Sequence, residues 1–368
     1  MKIGIITFHS SSNYGAHLQC YALQTVLLHL GYDVTIINRE WGDYPSSIKP
    51  PFSVHTIVHY MRRNKFKDFR EKYFNLSPLI RSESDLKLIT KDLDAIIVGS
   101  DQIWNSECIS TMGLYYYLDW VPNKIQKISY AVSFGKDTFN AKPDQIKAIT
   151  NSLSTYRLLS VRERSGIDIC KNIFHITAQW HIDPTLLLSS LDYAKLIPFK
   201  EKTKHSYLCQ FFLDVDQNKI NFANKLKNAL RLYYIVNNNP RIYRFRKWIY
   251  PSKYDLPSIP KWLNNIRNSS FVITDSYHGM VFAIIYNKQF ICINNTKRGS
   301  TRFISLLSLL GIENRLVDSE NANKLDINSL IPIDYVKVNN IIKQEQKKSL
   351  LYLSSIGAGD NLTNQHNL

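Results

Sequence analysis

Short runs of β-branched and aliphatic residues alternate along this chain with stretches of helical periodicity, and each run ends in a polar or glycine-bearing loop. Lys2–Phe8, Asp33–Asn38, Ala95–Val98, Ile128–Val132, Leu158–Val161 and His181–Ile182 read as strands. Ala16–Leu30 sets Leu18, Ala22, Leu23, Val26, Leu27 and Leu30 at helical spacing and stops at Gly31. Such alternation predicts a parallel, doubly wound sheet. A second series follows a polar stretch around Pro198–His205. In it Tyr207–Leu213, Leu232–Val236, Phe271–Thr274 and Phe290–Ile293 read as strands, with Phe222–Leu230, Ile259–Arg267, Gly279–Tyr286 and Arg302–Leu310 as helices between them. With 368 residues the chain has the length of two domains. The expected fold is therefore α/β, with two Rossmann-like domains, 1–197 and 198–335, facing a central cleft. Residues 336–368 are expected to form a closing helix, Lys337–Leu353, and a frayed tail.

Open parallel sheets bind ligands beyond the carboxyl ends of their strands. Six loops occupy that position: His9–Gly15, Gly99–Asn105, Ser133–Gly135, Arg162–Arg164, Asp183-Pro184 and Asp275–Gly279. In the last of these, Asp275 or Ser276 can cap the following helix, whose N-terminus suits an anion. Gly279 would admit a close backbone, and His278 is a side chain suited to acid–base work. The same pattern also fits plain caps and a buried, hydrogen-bonded histidine. Asp101 could orient or deprotonate a hydroxyl, or simply close an Asx turn. Arg162 and Arg164 could grip a carboxylate or phosphate, or form an ion pair at a helix start. Arg298 and Arg302 could supply further cations to the cleft, or be solvated surface residues.

Several function classes lose their support. Asn13-Tyr14-Gly15 stands where a dinucleotide site would carry G-x-G-x-x-G, and G-x-x-x-x-G-K-[ST] is absent. His9 and His17 flank the first loop without a second cluster at metal-ligand spacing, so no metal is expected. Five scattered cysteines without C-x-x-C fit reduced thiols in a cytoplasm, with Cys20 a packing residue inside the first helix. No signal peptide and no run long enough to span a membrane are read. The 46 Lys+Arg against 30 Asp+Glu, a formal +16, point to an anionic partner. Two stretches concentrate that charge among aromatics. One is 55–74, with Arg62, Arg63, Lys65, Lys67, Arg70 and Lys72; the other is 241–254, with Arg241, Arg244, Arg246, Lys247 and Lys253. They suit peripheral contact with an anionic membrane, or are ordinary solvated faces. Nucleic acid is not expected, because no helix-turn-helix, zinc finger or RNP-like sequence is present.

Taken together, several short motifs resemble the polysaccharide pyruvyl transferase family. They are Ile6-Thr7-Phe8-His9 with Asn13-Tyr14-Gly15-Ala16 and Leu18-Gln19, Val-Gly-Ser-Asp-Gln-Ile-Trp-Asn (98–105), and Ile-Ser-Tyr-Ala-Val-Ser-Phe-Gly (128–135). Ser-Val-Arg-Glu (160–163), Ile-Asp-Pro-Thr (182–185), Thr-Asp-Ser-Tyr-His-Gly (274–279) and the Arg302 helix complete the set, in family order, across residues 1–317. The resemblance implies a GT-B-like fold and transfer of pyruvate, as a ketal, from phosphoenolpyruvate. The implied acceptor is a sugar of a lipid-linked capsular or exopolysaccharide repeat unit, with no cofactor beyond the co-substrate. Such an acceptor would bring the protein to the inner face of the cell membrane. Some members carry arginine two residues before the motif histidine, where this chain has Ser276.

That chemistry assigns expected roles. His278 would deliver a proton to the donor's C3, and Asp101 would activate the acceptor hydroxyl. Arg302, then Arg162, then Arg298 are candidates to hold the donor, with Ser276 and Gly279 beside them. Asn13, Tyr14, Gly15, Ser100 and Ser133 would shape the acceptor side. Two rivals stand against this reading: a GT-B glycosyltransferase using a nucleotide-sugar, and a non-catalytic membrane-associated scaffold of polysaccharide synthesis.

Overall fold

In a computed structural model, which describes residues 1–39, 54–198, 204–239 and 256–357, two parallel sheets carry the architecture. The first is built from β1 (Lys2–Ile6), β2 (Asp33–Ile36), β3 (Ala95–Val98), β4 (Gln126–Ser129) and β5 (Tyr156–Leu158), in the order β2-β1-β3-β4-β5. All of β3 is buried, as expected of an apolar run covered on both faces. A short parallel pair, β6 (Ser160–Val161) and β7 (Gln179–Trp180), follows. The second sheet holds β8 (Tyr207–Phe211), β9 (Tyr234–Asn237), β10 (Phe271–Thr274), β11 (Gln289–Ile293) and β12 (Leu316–Val317), in the order β12-β11-β10-β8-β9. These are the two Rossmann-like halves expected from the alternation.

The helices, in chain order, are α1 (Tyr14–His29), α2 (Val54–Tyr73), α3 (Glu83–Thr90), α4 (Ile109–Met112), α5 (Pro143–Leu153), α6 (Arg164–Asn172) and α7 (Ser190–Ala194). The second half and the close of the chain add α8 (Gln217–Ala229), α9 (Ile259–Arg267), α10 (Tyr277–Ile285), α11 (Thr301–Leu310) and α12 (Tyr335–Ser354). Local chemistry sets their ends. Asn13 caps α1 by accepting from the backbone N–H of Gly15 and Ala16, and Ser276 caps α10 by accepting from Gly279. Gly311, with φ +66°, ends α11 in the left-handed conformation that favours glycine.

One strand differs from expectation. The run Leu158–Val161 is not continuous: β5 stays with β4, and β6 turns to pair with β7, which lies two residues before the expected His181–Ile182. Serine hydroxyls explain the break. Ser129 Oγ donates to the Ser160 carbonyl and accepts from the Ser160 N–H, while Ser160 Oγ accepts from the Ala131 N–H. Side-chain bonds thus replace a regular ladder there.

The register aligns the functional loops. Val98 pairs with both Ile6 and Ser129, so Thr7, Gly99 and Tyr130 leave the first sheet along one edge. Thr274 pairs with Phe211 and Cys292, so Asp275 leaves the second sheet beside Phe212 and Ile293. The halves are joined by aromatic packing. Tyr14 stacks on Trp262 with ring centroids 5.0 Å apart, Phe211 meets both rings edge-on, and the Tyr14 hydroxyl donates to the Pro257 carbonyl at 2.6 Å. α12 then returns to the first half, where Tyr352 donates to the Ser129 carbonyl and Gln346 to that of Leu186.

Of the two basic stretches, 241–254 lies outside the described residues. In α2, two cations serve the protein itself: Lys65 donates to the Leu256 carbonyl and Arg70 to that of Ser10. Among the described residues no helix is long and apolar enough to cross a membrane.

Because Trp262 is fully buried and bridges Tyr14, Phe211 and Phe282, Trp262→Ala is expected to cost ~3–5 kcal/mol. Equilibrium urea unfolding measures it; a loss under ~1 kcal/mol would mean that this packing does not hold the halves together.

Candidate functional site

The loops at the facing edges of the two sheets enclose a cavity of about 390 Å³. The first half lines it with Asn13, Asp101, Gln102, Asn105, Glu107 and Lys136, and the second with Leu213, Asp214, Asp275–His278, Arg298, Arg302 and Phe303. Of the residues expected from the sequence, Asn13, Asp101, Ser276, His278, Arg298 and Arg302 therefore meet at one place.

Behind the lining, next to His278, lies a buried ion pair, Arg162 Nη1 with Asp183 Oδ2. Asp183 also accepts from the Thr185 N–H at 2.9 Å and the Thr185 hydroxyl at 2.6 Å. Arg162 donates to Ser100 Oγ at 3.2 Å, and Ser100 Oγ in turn donates to the Ala131 carbonyl. Burial by itself would raise the Asp183 carboxyl, but Arg162, followed by His278 and Thr185, outweighs it and holds the group well below the usual carboxylate range. Burial likewise opposes the Arg162 charge, and Asp183, joined by Tyr277, Glu163 and Asp101, more than offsets it.

His278 stands between the halves. Its Nε2 is 3.5 Å from Asp183 Oδ2, while its Nδ1 side packs against Gly15. A Cβ on Gly15 would sit 2.0 Å from His278 Nδ1, so the missing side chain is what makes room for the imidazole. Tyr277 carries the two guanidiniums of Arg162 and Arg302 over its ring, at 4.7 and 5.5 Å from the centroid. Its own hydroxyl is pushed up by burial and stays a neutral phenol.

The arginines differ in what they are committed to. Arg162 belongs to Asp183. Arg298, half exposed, forks onto Asp214 through Nε at 2.6 Å and Nη2 at 3.1 Å, and that bond raises its proton affinity. Arg302 is 92% buried, yet no ion pair involves it among the described residues. Burial first, and the neighbouring Arg162 second, push its pKa down to about 10. It donates to the Arg298 carbonyl at 2.9 Å, and the Gln102 amide, oriented to match its surroundings, turns its oxygen to Arg302 Nη2 at 2.6 Å. A buried cation with only neutral acceptors is poised for an anionic ligand.

Other expected residues lie behind this surface. Tyr14 is buried, with its hydroxyl held by Pro257, so it packs the junction and does not reach the cavity. Ser133 donates to Glu163 Oε1 at 2.6 Å, and Ser100 serves the Arg162–Asp183 pair; both are fully buried. At Gly279 a Cβ would sit 2.3 Å from Thr274 Oγ1, so this glycine lets α10 close onto β10 instead of admitting a ligand. Asp101 has φ +75°, a left-handed conformation that Asp tolerates, and its Oδ1 accepts from the Gln102 N–H at 2.8 Å. His17 is buried with its pKa lowered to about 3 by burial, and Cys20 is fully buried, its thiol pushed up by burial.

Sequence reasoning missed Asp183, Gln102, Tyr277 and Lys219 as site residues. Lys219, which carries its nitrogen to Asp275 Oδ2 at 2.7 Å, sits inside a helix with nothing local to mark it. Asp183 had a signal, since Asp-Pro directly after a predicted strand is a strand-end carboxylate like Asp101.

Comparison with known families matches residues 13–297 to the profile described as polysaccharide pyruvyl transferase. Comparison with curated proteins gives no match. Among solved structures, the chain is similar to the glycosyltransferase SnogD from Streptomyces nogalater, at 12% identity and TM-score 0.48, covering 97% of this chain and 98% of that one. It is also similar to UDP-GlcNAc 2-epimerase from Neisseria meningitidis bound to UDP-GlcNAc, at 12% identity and TM-score 0.46, again covering 97% and 98%.

The buried pair makes a pH-dependent prediction. Asp183 titrates well below its value in the unfolded chain, about 3.9. The stability its ionisation contributes is complete above that pH and is lost as pH falls towards the folded value. Arg162→Met, which leaves a buried charge alone, is expected to cost ~3–5 kcal/mol at pH 7. Its deficit against wild type should shrink below about pH 4; denaturation at stepped pH measures this, and a constant deficit would contradict it.

Proposed function

Because the chain belongs to the polysaccharide pyruvyl transferase family, we propose that it transfers pyruvate from phosphoenolpyruvate to two hydroxyls of one sugar, forming a ketal. The observation that carries this reading is Arg302, a buried cation with no carboxylate partner among the described residues, lining the same cavity as His278. Phosphoenolpyruvate brings a phosphate and a carboxylate, and a guanidinium can hold either one bidentately. The N-terminus of α10 adds a partial positive charge from the same side. Where some family members have an arginine at the position of Ser276, this chain uses Ser276 as a helix cap, and Arg302 provides the cation.

The reaction balances as two additions. An acceptor hydroxyl oxygen bonds to C2 of the donor, C3 gains a proton and becomes a methyl group, and the hydroxyl proton passes to a base. The C2–O bond to phosphate then breaks, and the second hydroxyl closes the ring as its proton leaves. His278, as the imidazolium, supplies the C3 proton through Nδ1, the ring nitrogen turned away from Asp183, and is left as the neutral ring. Asp101 takes the proton of the attacking hydroxyl from the first-half wall, with Asn13 beside it. Arg302 neutralises charge that accumulates on the departing phosphate. Glu107, ion-paired to Lys136 at 2.5 Å, and Asn105 form the remaining first-half wall and would meet the acceptor sugar. The acceptor is a sugar of a lipid-linked repeat unit, met at the inner face of the cell membrane.

Phosphate release from phosphoenolpyruvate, with candidate lipid-linked glycans present, tests the assignments. His278→Ala should lower kcat by ~100-fold or more while circular dichroism stays unchanged; turnover near wild type would remove His278 from the chemistry. Arg302→Ala should raise the donor KM ~10-fold or more. An unchanged donor KM there, with thermal stabilisation by a nucleotide diphosphate and none by phosphoenolpyruvate, would favour a nucleotide-sugar enzyme.

A further inference from the structure

His278 is carried by the second half, yet the groups that fix its ring come from the first. Gly15, at the start of α1, leaves the space that the imidazole fills, and Asp183, directly before the turn at Pro184–Leu187, is the carboxylate nearest its Nε2. Asp183 is itself immobile: fully buried, it is tied through one oxygen to Thr185 and through the other to Arg162. Nε2 is buried and has no hydrogen-bond partner, with Asp183 Oδ2 3.5 Å away. A buried ring nitrogen in such a place is costly unless it is paired, and Asp183 Oδ2 is the charged acceptor within reach.

We propose that Asp183 is the positioning residue for His278, accepting from its Nε2–H so that the imidazolium gives up its proton from Nδ1 and is left as the neutral Nε2–H ring. The inference rests on the reading of His278 as the proton donor. Asp183 lies behind the imidazole and acts through it. The Arg162 guanidinium keeps Asp183 an acceptor, and the Tyr277 ring, packed against both His278 and Arg162, fills the space that would let the imidazole turn.

Long-range ¹H–¹⁵N correlation of histidine-labelled protein reads the tautomer directly, with the His278 signals identified by their loss in His278→Ala. In wild type above the pH at which the imidazole is charged, the proton is expected on Nε2. Asp183→Asn should shift the neutral ring to the Nδ1–H tautomer or to a mixture, and should lower kcat ~100-fold with a donor KM changed less than ~3-fold. An Nδ1–H tautomer in wild type overturns the proposal, and so does an unaltered Nε2–H tautomer in Asp183→Asn. If Asp183→Asn does not fold, the wild-type tautomer decides alone. The spectrum needs no turnover, so a protein that transfers no pyruvate but shows the expected tautomers would refute the proposed reaction and leave the Asp183–His278 geometry standing.

Discussion

The buried pair of Arg162 and Asp183 ties together parts of the chain that are far apart in sequence. Arg162 follows β6, Asp183 follows β7, Ser100 follows β3, and all three meet in a volume that excludes water. A charge placed there is tolerable only if it is answered, so each of these loops is held in the one conformation that answers it. The Tyr277 ring from the second half lies over the same guanidinium, and His278 approaches the same carboxylate. The position of the loop that carries His278 in one half is thereby referred to a charge pair in the other.

The excess of positive charge acquires a more specific meaning from these contacts. Most basic side chains near the cavity are answered: Arg162 by Asp183, Arg298 by Asp214, Lys219 by Asp275, Lys136 by Glu107. Arg302 is the cavity cation that keeps only neutral acceptors among the described residues. A buried cation with only neutral acceptors is a better match for an anion than for a neutral ligand, which is what the proposed donor requires of it. Gly299, with φ +88°, brings its loop to the first half, where a Cβ would lie 1.8 Å from the Gly135 carbonyl. The segment bearing Arg298 thus closes directly against the wall that carries Gln102.

Much of this was legible in the sequence because strand-end loops in a parallel sheet must converge at one edge. Ala95–Val98, Phe271–Thr274 and Ile259–Arg267 form where their apolar patterns end, and six of the expected site residues line one cavity. The rest depended on three-dimensional neighbours. Gly15 reads as a residue shaping the acceptor side, and its reason for being glycine is a histidine more than 260 positions later. Tyr14 reads as a polar loop residue, and it packs a junction with Trp262 that no local pattern reveals. Leu158–Val161 reads as one strand because serine hydroxyls that replace a ladder leave no mark on the apolar pattern.

The central claim, ketal transfer with protonation at C3, is tested most directly by running the reaction in deuterium oxide with phosphoenolpyruvate and a lipid-linked glycan, then weighing the product. The account predicts a glycan that gains a pyruvate ketal whose methyl group carries one deuterium, with one phosphate released per transfer. A product retaining a vinyl group, a ketal methyl without solvent deuterium, or turnover that requires a nucleotide-sugar in place of phosphoenolpyruvate would contradict it.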